Sequence, residues 1–162
     1  MTQLTPRDRV EGQQRDARSD DDGPTARAPL KFQSDGWQVS NIDEHAQTSK
    51  RVMLSKLKGS AVQINCYEPG MDGGEMHCHP SSEHTFLVWK GQLRVRGVEP
   101  GEDLILGPGD FVQIKAGYYY QLHNPGSEPA VYCQFRTVPA KPAKVNMVFF
   151  SESRRGKQAA AG

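Results

Sequence analysis

The chain has 162 residues, of which 36% are hydrophobic and 24% are charged, with a formal net charge of +1 and a pI near 7.8. This length accommodates one domain with a proper core and flanking tails. We expect neither nucleic acid nor a membrane as partner, because the charge is nearly balanced and no apolar run approaches the roughly 18 residues of a membrane span.

The N-terminal 30 residues are rich in Arg and Asp, contain no aromatic residue and show no apolar periodicity. Such a segment cannot bury enough surface to offset the entropy of ordering it, so residues 1–30 are predicted to be a disordered tail. Residues 31–152 are predicted to form the domain, and residues 153–162 a flexible C-terminal tail. Helix is only weakly indicated, around residues 42–50.

Apolar residues in the central region recur with period two, which is typical of β-strands. Turn sequences containing Gly, Pro or Asn separate these short runs. The predicted strands are residues 61–67, 84–89, 92–98, 103–106, 111–114, 119–123, 131–138 and 145–150. Many short strands without a convincing helix indicate an all-β fold, a single small antiparallel sandwich or barrel.

The three cysteines, Cys66, Cys78 and Cys133, are odd in number and show no C-x-x-C spacing. This pattern does not indicate a disulfide framework, and the N-terminus lacks the apolar core of a signal peptide. We therefore expect a reducing, cytoplasmic location.

The stretch GGEMHCHPSSEHTFLVWKG, residues 73–91, concentrates three of the chain's five histidines. On a strand, His77 and His79 would lie on one face, roughly 6–7 Å apart. Glu83 and His84 follow a PSS turn that can bring the chain back across the same site. A single histidine in a loop is usually an ordinary surface residue, but three at this spacing predict a metal site. Imidazoles with a carboxylate or a third imidazole suit Fe(II), Mn, Ni, Cu or Zn.

The stretch just described resembles the first motif of the cupin superfamily, G-x5-H-x-H-x3,4-E-x6-G. His77 and His79 match the H-x-H pair, and Gly91 matches the closing glycine. Glu83 satisfies the three-residue spacing after the H-x-H pair. His84 satisfies the four-residue spacing and also the six-residue spacing before Gly91. The hairpin turn sets the register and favours His84 as the inward ligand, although a one-residue bulge would give that role to Glu83.

The second cupin motif, G-x5-P-x-G-x2-H-x3-N, is similar to residues 109–124, with Lys115 at the proline position. In this register the family's fourth ligand, normally histidine, falls on Tyr120. Tyr120 could bind the metal as phenolate or stand beside it as a proton donor. Alternatively, the loop rearranges and His123 completes the site. Because Gly117 and Asn124 both fit the first register, the sequence favours Tyr120.

The resemblance covers about residues 60–138 and implies a jelly-roll barrel, the double-stranded β-helix of cupins, that pairs as a homodimer. It implies a metal-dependent enzyme, and we expect a non-haem Fe(II) dioxygenase acting on a small oxygen-rich or aromatic metabolite, with Tyr120 as the catalytic group. One alternative is an isomerase, lyase or decarboxylase that uses Zn, Mn, Ni or another ion as a Lewis acid. A non-catalytic cupin that binds or senses a small ligand is the other.

Overall fold

The structure is a computed structural model that describes residues 40–46, 51–141, 145–153 and 157. The predicted tail at residues 1–30 lies outside the described residues, as does most of the predicted tail at 153–162. The start of the predicted domain at residue 31 lies outside them too, so the domain boundaries stay predictions. No helix in the described ranges has the length and apolar character needed to cross a membrane.

Ten short strands and one four-residue helix account for the regular structure of the described ranges. They are α1 (Ile42–His45), β1 (Val52–Lys56), β2 (Ser60–Tyr67), β3 (His77–Cys78), β4 (His84–Lys90), β5 (Leu93–Arg96), β6 (Asp103–Leu106), β7 (Phe111–Ile114), β8 (Gln121–His123), β9 (Ala130–Thr137) and β10 (Val148–Phe149). The predicted all-β fold class is therefore confirmed, and the weak helix signal near residue 42 corresponds to the single turn of α1.

The strands form three antiparallel sheets. A five-stranded sheet has the order β1-β2-β9-β4-β7, a three-stranded sheet has the order β6-β5-β8, and β3 pairs with β10. Among the described residues, strand pairing does not close these sheets into one continuous barrel. The predicted antiparallel jelly-roll architecture is present as separate sheets, and the two larger sheets share a core.

The core lies between the five-stranded and the three-stranded sheets. Alternate residues of β4, Phe86 and Val88, are buried there together with Tyr132 of β9. Leu93 of β5 and Leu122 of β8 reach the same cluster from the other sheet. Since strand side chains alternate between faces, the period-two pattern of the sequence directly produces this shared interior.

The opposite face of the five-stranded sheet is also buried. Ile64 and Cys66 of β2 pack there with Val131 and Cys133 of β9, and Ile42 of α1 is among the partly buried residues packed against this cluster. All three cysteines of the chain are free and buried. Burial on both faces leaves β2 and β9 little freedom to slip in register, because a one-residue shift would exchange the two sets of side chains.

The interior face of the five-stranded sheet changes from apolar to polar along the strands. At one end lie the apolar residues described above. At the other end lie His84 of β4, Gln63 of β2, and Gln134 and Arg136 of β9; the first three are buried. The register pairs Gln63 with Gln134 and His84 with Arg136. The fold therefore places a polar site at one end of the shared core.

Gly91 closes the turn after β4 and offers a test of why the turn needs glycine. Its φ is +70°, and a Cβ there would lie 2.5 Å from the carbonyl oxygen of Pro129. Gly109 has a similar φ of +89° but open space around it. We expect Gly109→Ala to lower the free energy of unfolding by about 1–2 kcal/mol from backbone strain alone, and Gly91→Ala to cost at least about 1 kcal/mol more because of the clash. Urea denaturation of both variants measures this difference, and equal losses would contradict it.

Candidate functional site

The polar end of the core opens into a cavity of about 180 Å³, which we call the histidine cavity. Its lining includes His77, His79, His84 and Tyr120, the four residues that the sequence favoured as the site. Cys78, between the first two histidines, is buried and does not line the cavity. The structure thus brings the four side chains to one place from β3, the residue that follows it, β4 and the residue just before β8.

Backbone pairing holds the first motif against the second. The amide of His77 donates to the carbonyl of Tyr120 at 3.0 Å, and the amide of Tyr120 donates back at 2.9 Å. The amide of Gly117 donates to the carbonyl of His79 at 2.9 Å. On its other edge β3 pairs with β10, where His77 lies opposite Phe149. These bonds position His77 and His79 beside Tyr120.

The rings of His77 and His79 are each oriented by a carbonyl oxygen. Nδ1 of His77 lies 2.8 Å from the carbonyl oxygen of Glu75, and Nδ1 of His79 lies 2.9 Å from that of Asn146. A carbonyl can only accept, so Nδ1 carries the hydrogen in both rings. Whenever such a ring is neutral, Nε2 has the free lone pair, which is the arrangement typical of metal-binding histidines.

His84 is buried, with 3% of its surface exposed. Burial lowers the pKa of its imidazole to about 3, and the charges of His79, Arg136 and His77 act in the same direction. Burial likewise lowers the pKa of His79, although its bond to the Asn146 carbonyl opposes the shift. Both rings are therefore neutral near pH 7, and Nε2 of His84 is buried without a hydrogen-bond partner.

The other ring nitrogen of His84, Nδ1, has two neighbours. The hydroxyl of Tyr120 lies 2.8 Å away, and Nε2 of Gln134 lies 3.0 Å away. An amide nitrogen can only donate, so Nδ1 of His84 accepts in this arrangement. The hydrogen of the neutral imidazole is therefore on Nε2, the atom that has no partner.

A chain of side-chain hydrogen bonds sets the orientation of the Gln134 amide. Nε of Arg51, which can only donate, bonds Oδ1 of Asn65 at 3.1 Å. The amide nitrogen of Gln63 donates to the same oxygen at 3.2 Å and to Oε1 of Gln134 at 2.5 Å. Gln134 must then present its nitrogen to His84. The direction of the whole chain thus follows from the guanidinium at its far end.

Tyr120 is buried against the histidines. Its ring centroid lies 4.8 Å from that of His77 and 5.9 Å from that of His84. Burial raises the pKa of its phenol well above the usual range, and the Arg51 charge only partly opposes this. Tyr120 is thus a neutral hydroxyl at neutral pH, able to donate to Nδ1 of His84.

Two of the residues considered as alternates lie elsewhere. Glu83 is exposed and does not line the histidine cavity, and its backbone amide donates to Oγ1 of Thr137 at 2.9 Å. Strand β4 alternates without interruption from His84 to Val88, and its register shift against β9 falls only after Val88. Nδ1 of His123 lies 2.9 Å from a carboxylate oxygen of Asp72, in a separate surface depression.

The donor chemistry of the histidine cavity fits a transition metal. Three imidazoles line the cavity, and the distances between ring centroids are 5.3 Å for His77–His79 and 4.3 Å for His79–His84. Within the described ranges, however, no three His, Cys, Asp or Glu side chains are already arranged to hold an ion. His84 would also have to move its hydrogen from Nε2 to Nδ1. The ligand roles of these residues therefore stay predictions.

Several residues of the cavity were not identified from the sequence. Arg51, Gln63, Gln134, Arg136 and Asn146 all line it. For Gln134 and Arg136 a signal existed, because they continue the alternation that begins with the inward-facing Tyr132. Asn124 of the second motif has a structural role, since its amide nitrogen donates to the carbonyls of Tyr67 and Glu128.

The cupin domain family matches residues 63–135, a span that contains both motif stretches. Over these residues the chain is similar to the cupin domain. No curated protein matches the sequence.

Solved structures share the fold at low sequence identity. A Klebsiella pneumoniae protein with a double-stranded β-helix domain is 22% identical, with a TM-score of 0.56 over 68% of this chain and 95% of that one. A Bacillus halodurans protein is 20% identical, with a TM-score of 0.57 over 74% and 89% of the two chains. A Thermus thermophilus protein is 17% identical, with a TM-score of 0.56 over 62% and 97%. Identities this low show the fold alone.

The state of His84 can be measured in metal-free protein. We expect long-range ¹H–¹⁵N correlation spectra to show a neutral ring with its hydrogen on Nε2 while ordinary histidines, with pKa near 6.5, become charged. Because the unfolded chain takes up this proton at higher pH than the folded chain, the contribution of His84 to stability falls as pH drops from 6.5 towards 3. A hydrogen on Nδ1, or a charged ring at pH 6, would contradict the assignment.

Proposed function

We propose that this chain is a metal-dependent cupin enzyme in which His77, His79 and His84 hold a divalent transition metal. The observation that carries the proposal is the buried, unpartnered Nε2 of His84, a residue that lines the cavity together with two further histidines. An unsatisfied buried polar atom costs about 1–3 kcal/mol, so its presence in a native fold requires an explanation, and a bound ion is one. A metal ion would satisfy this nitrogen after its hydrogen has moved to Nδ1.

Within this class we propose a non-haem Fe(II) dioxygenase that acts on a small oxygen-rich or aromatic compound. Neutral imidazole ligands suit Fe(II), and an iron ion would supply the one-electron chemistry that reactions with O2 need. The apolar side of the cavity, formed by Phe86, Leu122 and Tyr132, would exclude water and pack against the body of the substrate. Pairing of two copies into a homodimer also stays a prediction.

Tyr120 is proposed as the group that holds a proton beside the metal. Its hydroxyl lies 2.8 Å from Nδ1 of His84, whereas the unpartnered nitrogen of that ring is Nε2. In this position the hydroxyl orients the imidazole and is a neutral acid rather than a phenolate ligand. We therefore favour proton donation by Tyr120 over metal coordination by it.

The neutral phenol also supports a second candidate function. An isomerase, lyase or decarboxylase would use the metal as a Lewis acid and a positioned acid such as Tyr120 to move a proton. This reaction class needs no O2, so oxygen consumption separates the two candidates.

The metal site is tested by calorimetric titration of metal-free protein with Zn²⁺ and anaerobically with Fe²⁺. We expect one ion per chain, and more than about 100-fold weaker binding in His77→Ala and His79→Ala, because losing a direct ligand exceeds the roughly 10- to 100-fold effect of outer partners. His123→Ala and Glu83→Gln are matched controls outside the histidine cavity and should bind like the wild type. Metal binding that survives both cavity variants but is lost in either control would overturn the site.

The reaction class is tested on protein purified without chelators. We expect elemental analysis to find iron, and an oxygen electrode to record O2 uptake upon addition of small aromatic or oxygen-rich compounds. Tyr120→Phe should keep the iron and turn over at least about 100-fold more slowly, as is typical for loss of a positioned acid. Turnover without O2 uptake, with zinc, nickel or manganese bound, would support the Lewis-acid candidate instead.

A further inference from the structure

The histidine cavity has a positively charged side. Arg136 lies on β9 directly opposite His84 on β4, on the same face of two neighbouring strands. Such pairs have Cβ atoms roughly 4.5–5.5 Å apart. Arg51, exposed at the start of β1, also lines the cavity.

No carboxylate balances this charge in the described part of the chain. The cavity lining contains neither Asp nor Glu among the described residues, and the ion pairs found there involve other cations. Nε of Arg136 is buried without a hydrogen-bond partner. Arg94, on the other sheet, provides the contrast, because it forms a two-point pair with Asp103 at 2.8 and 2.6 Å.

An unpaired guanidinium donor beside neutral imidazoles is an anion site by its chemistry. A buried donor that lacks a partner is costly, and an incoming anion would satisfy it. The planar guanidinium matches a carboxylate with two parallel hydrogen bonds. With only one partly buried arginine and one exposed arginine present, a singly charged carboxylate fits better than a doubly charged phosphate.

We propose that the histidine cavity binds its ligand by a carboxylate group, which pairs with Arg136, while the rest of the ligand packs on Phe86, Leu122 and Tyr132. The volume of about 180 Å³ lies below the roughly 300–1,000 Å³ of sites for drug-sized ligands, which limits the ligand to a small carboxylic acid. The inference deepens the proposed function by naming its substrate class, and it rests on that function only in treating this cavity as the substrate site.

The test uses benzoate as probe, with benzamide as its neutral counterpart of the same shape. In metal-free protein we expect benzoate to bind, to shift the ¹⁵N–¹H signal of Arg136 Nε, and to bind about 10- to 100-fold more weakly to Arg136→Gln, as expected for a hydrogen bond to a charged group. Arg136→Lys keeps the charge but loses the two-point geometry, so its affinity for benzoate should lie between those of the wild type and Arg136→Gln. Benzamide should bind wild type and Arg136→Gln equally.

Arg96→Gln is the matched control, because it removes the same charge from an exposed position on β5 that does not line the cavity. It should bind benzoate like the wild type, and thermal unfolding verifies that every variant is folded. Benzoate affinity that is unchanged in Arg136→Gln, or reduced equally in Arg96→Gln, would overturn the carboxylate site. Tighter binding of inorganic phosphate than of benzoate, with the same dependence on Arg136, would overturn the choice of carboxylate.

Repeating the titration with zinc present separates this inference from the metal proposal. If the protein binds no metal but binds benzoate in a way that depends on Arg136, the carboxylate site is supported and the metal proposal is overturned. If the protein binds zinc through the histidines but does not bind benzoate, either with zinc or without it, the metal proposal stands and the carboxylate site is overturned.

Discussion

The register of β4 against β9 is the constraint on which the site depends. It places His84 beside Arg136 and Phe86 beside Gln134, all on the interior face. The same register buries Val88 and Tyr132 in the core, so a one-residue slip of β4 would turn both Val88 and His84 away from the interior. Packing at the apolar end of the two strands thereby fixes the position of the polar groups at the other end.

Much of the fold and part of the site follow from local sequence. Alternation between apolar and polar residues identified most of the strands, and the distance from His84 to Gly91 favoured His84 over Glu83 for the interior. The sequence did not reveal β1, because its burial along the strand is irregular. Nor did it reveal that β10 pairs with β3 or that Arg136 faces His84, because both are pairings between segments more than 50 residues apart. Such contacts depend on tertiary structure and leave no local pattern.

The polar end of the interior is costly for folding, and this cost points to function. Nε2 of His84 and Nε of Arg136 are both buried without partners, as is Nδ2 of Asn65, whereas the Gln63 amide nitrogen bonds Gln134 and the Gln134 amide nitrogen bonds His84. A cation would satisfy Nε2 of His84 once its hydrogen has moved to Nδ1, and an anion would satisfy Nε of Arg136. The pairing of a metal with a carboxylate ligand is the arrangement that completes both.

The position of the bound ion tests the central claim most directly. Crystals of the protein loaded with zinc or iron, measured at the absorption edge of that metal, locate the ion through its anomalous scattering. The account predicts a single strong peak within roughly 2.0–2.2 Å of Nε2 of His77, His79 and His84. A peak beside His123 and Asp72, or no peak inside the histidine cavity at full loading, would contradict it.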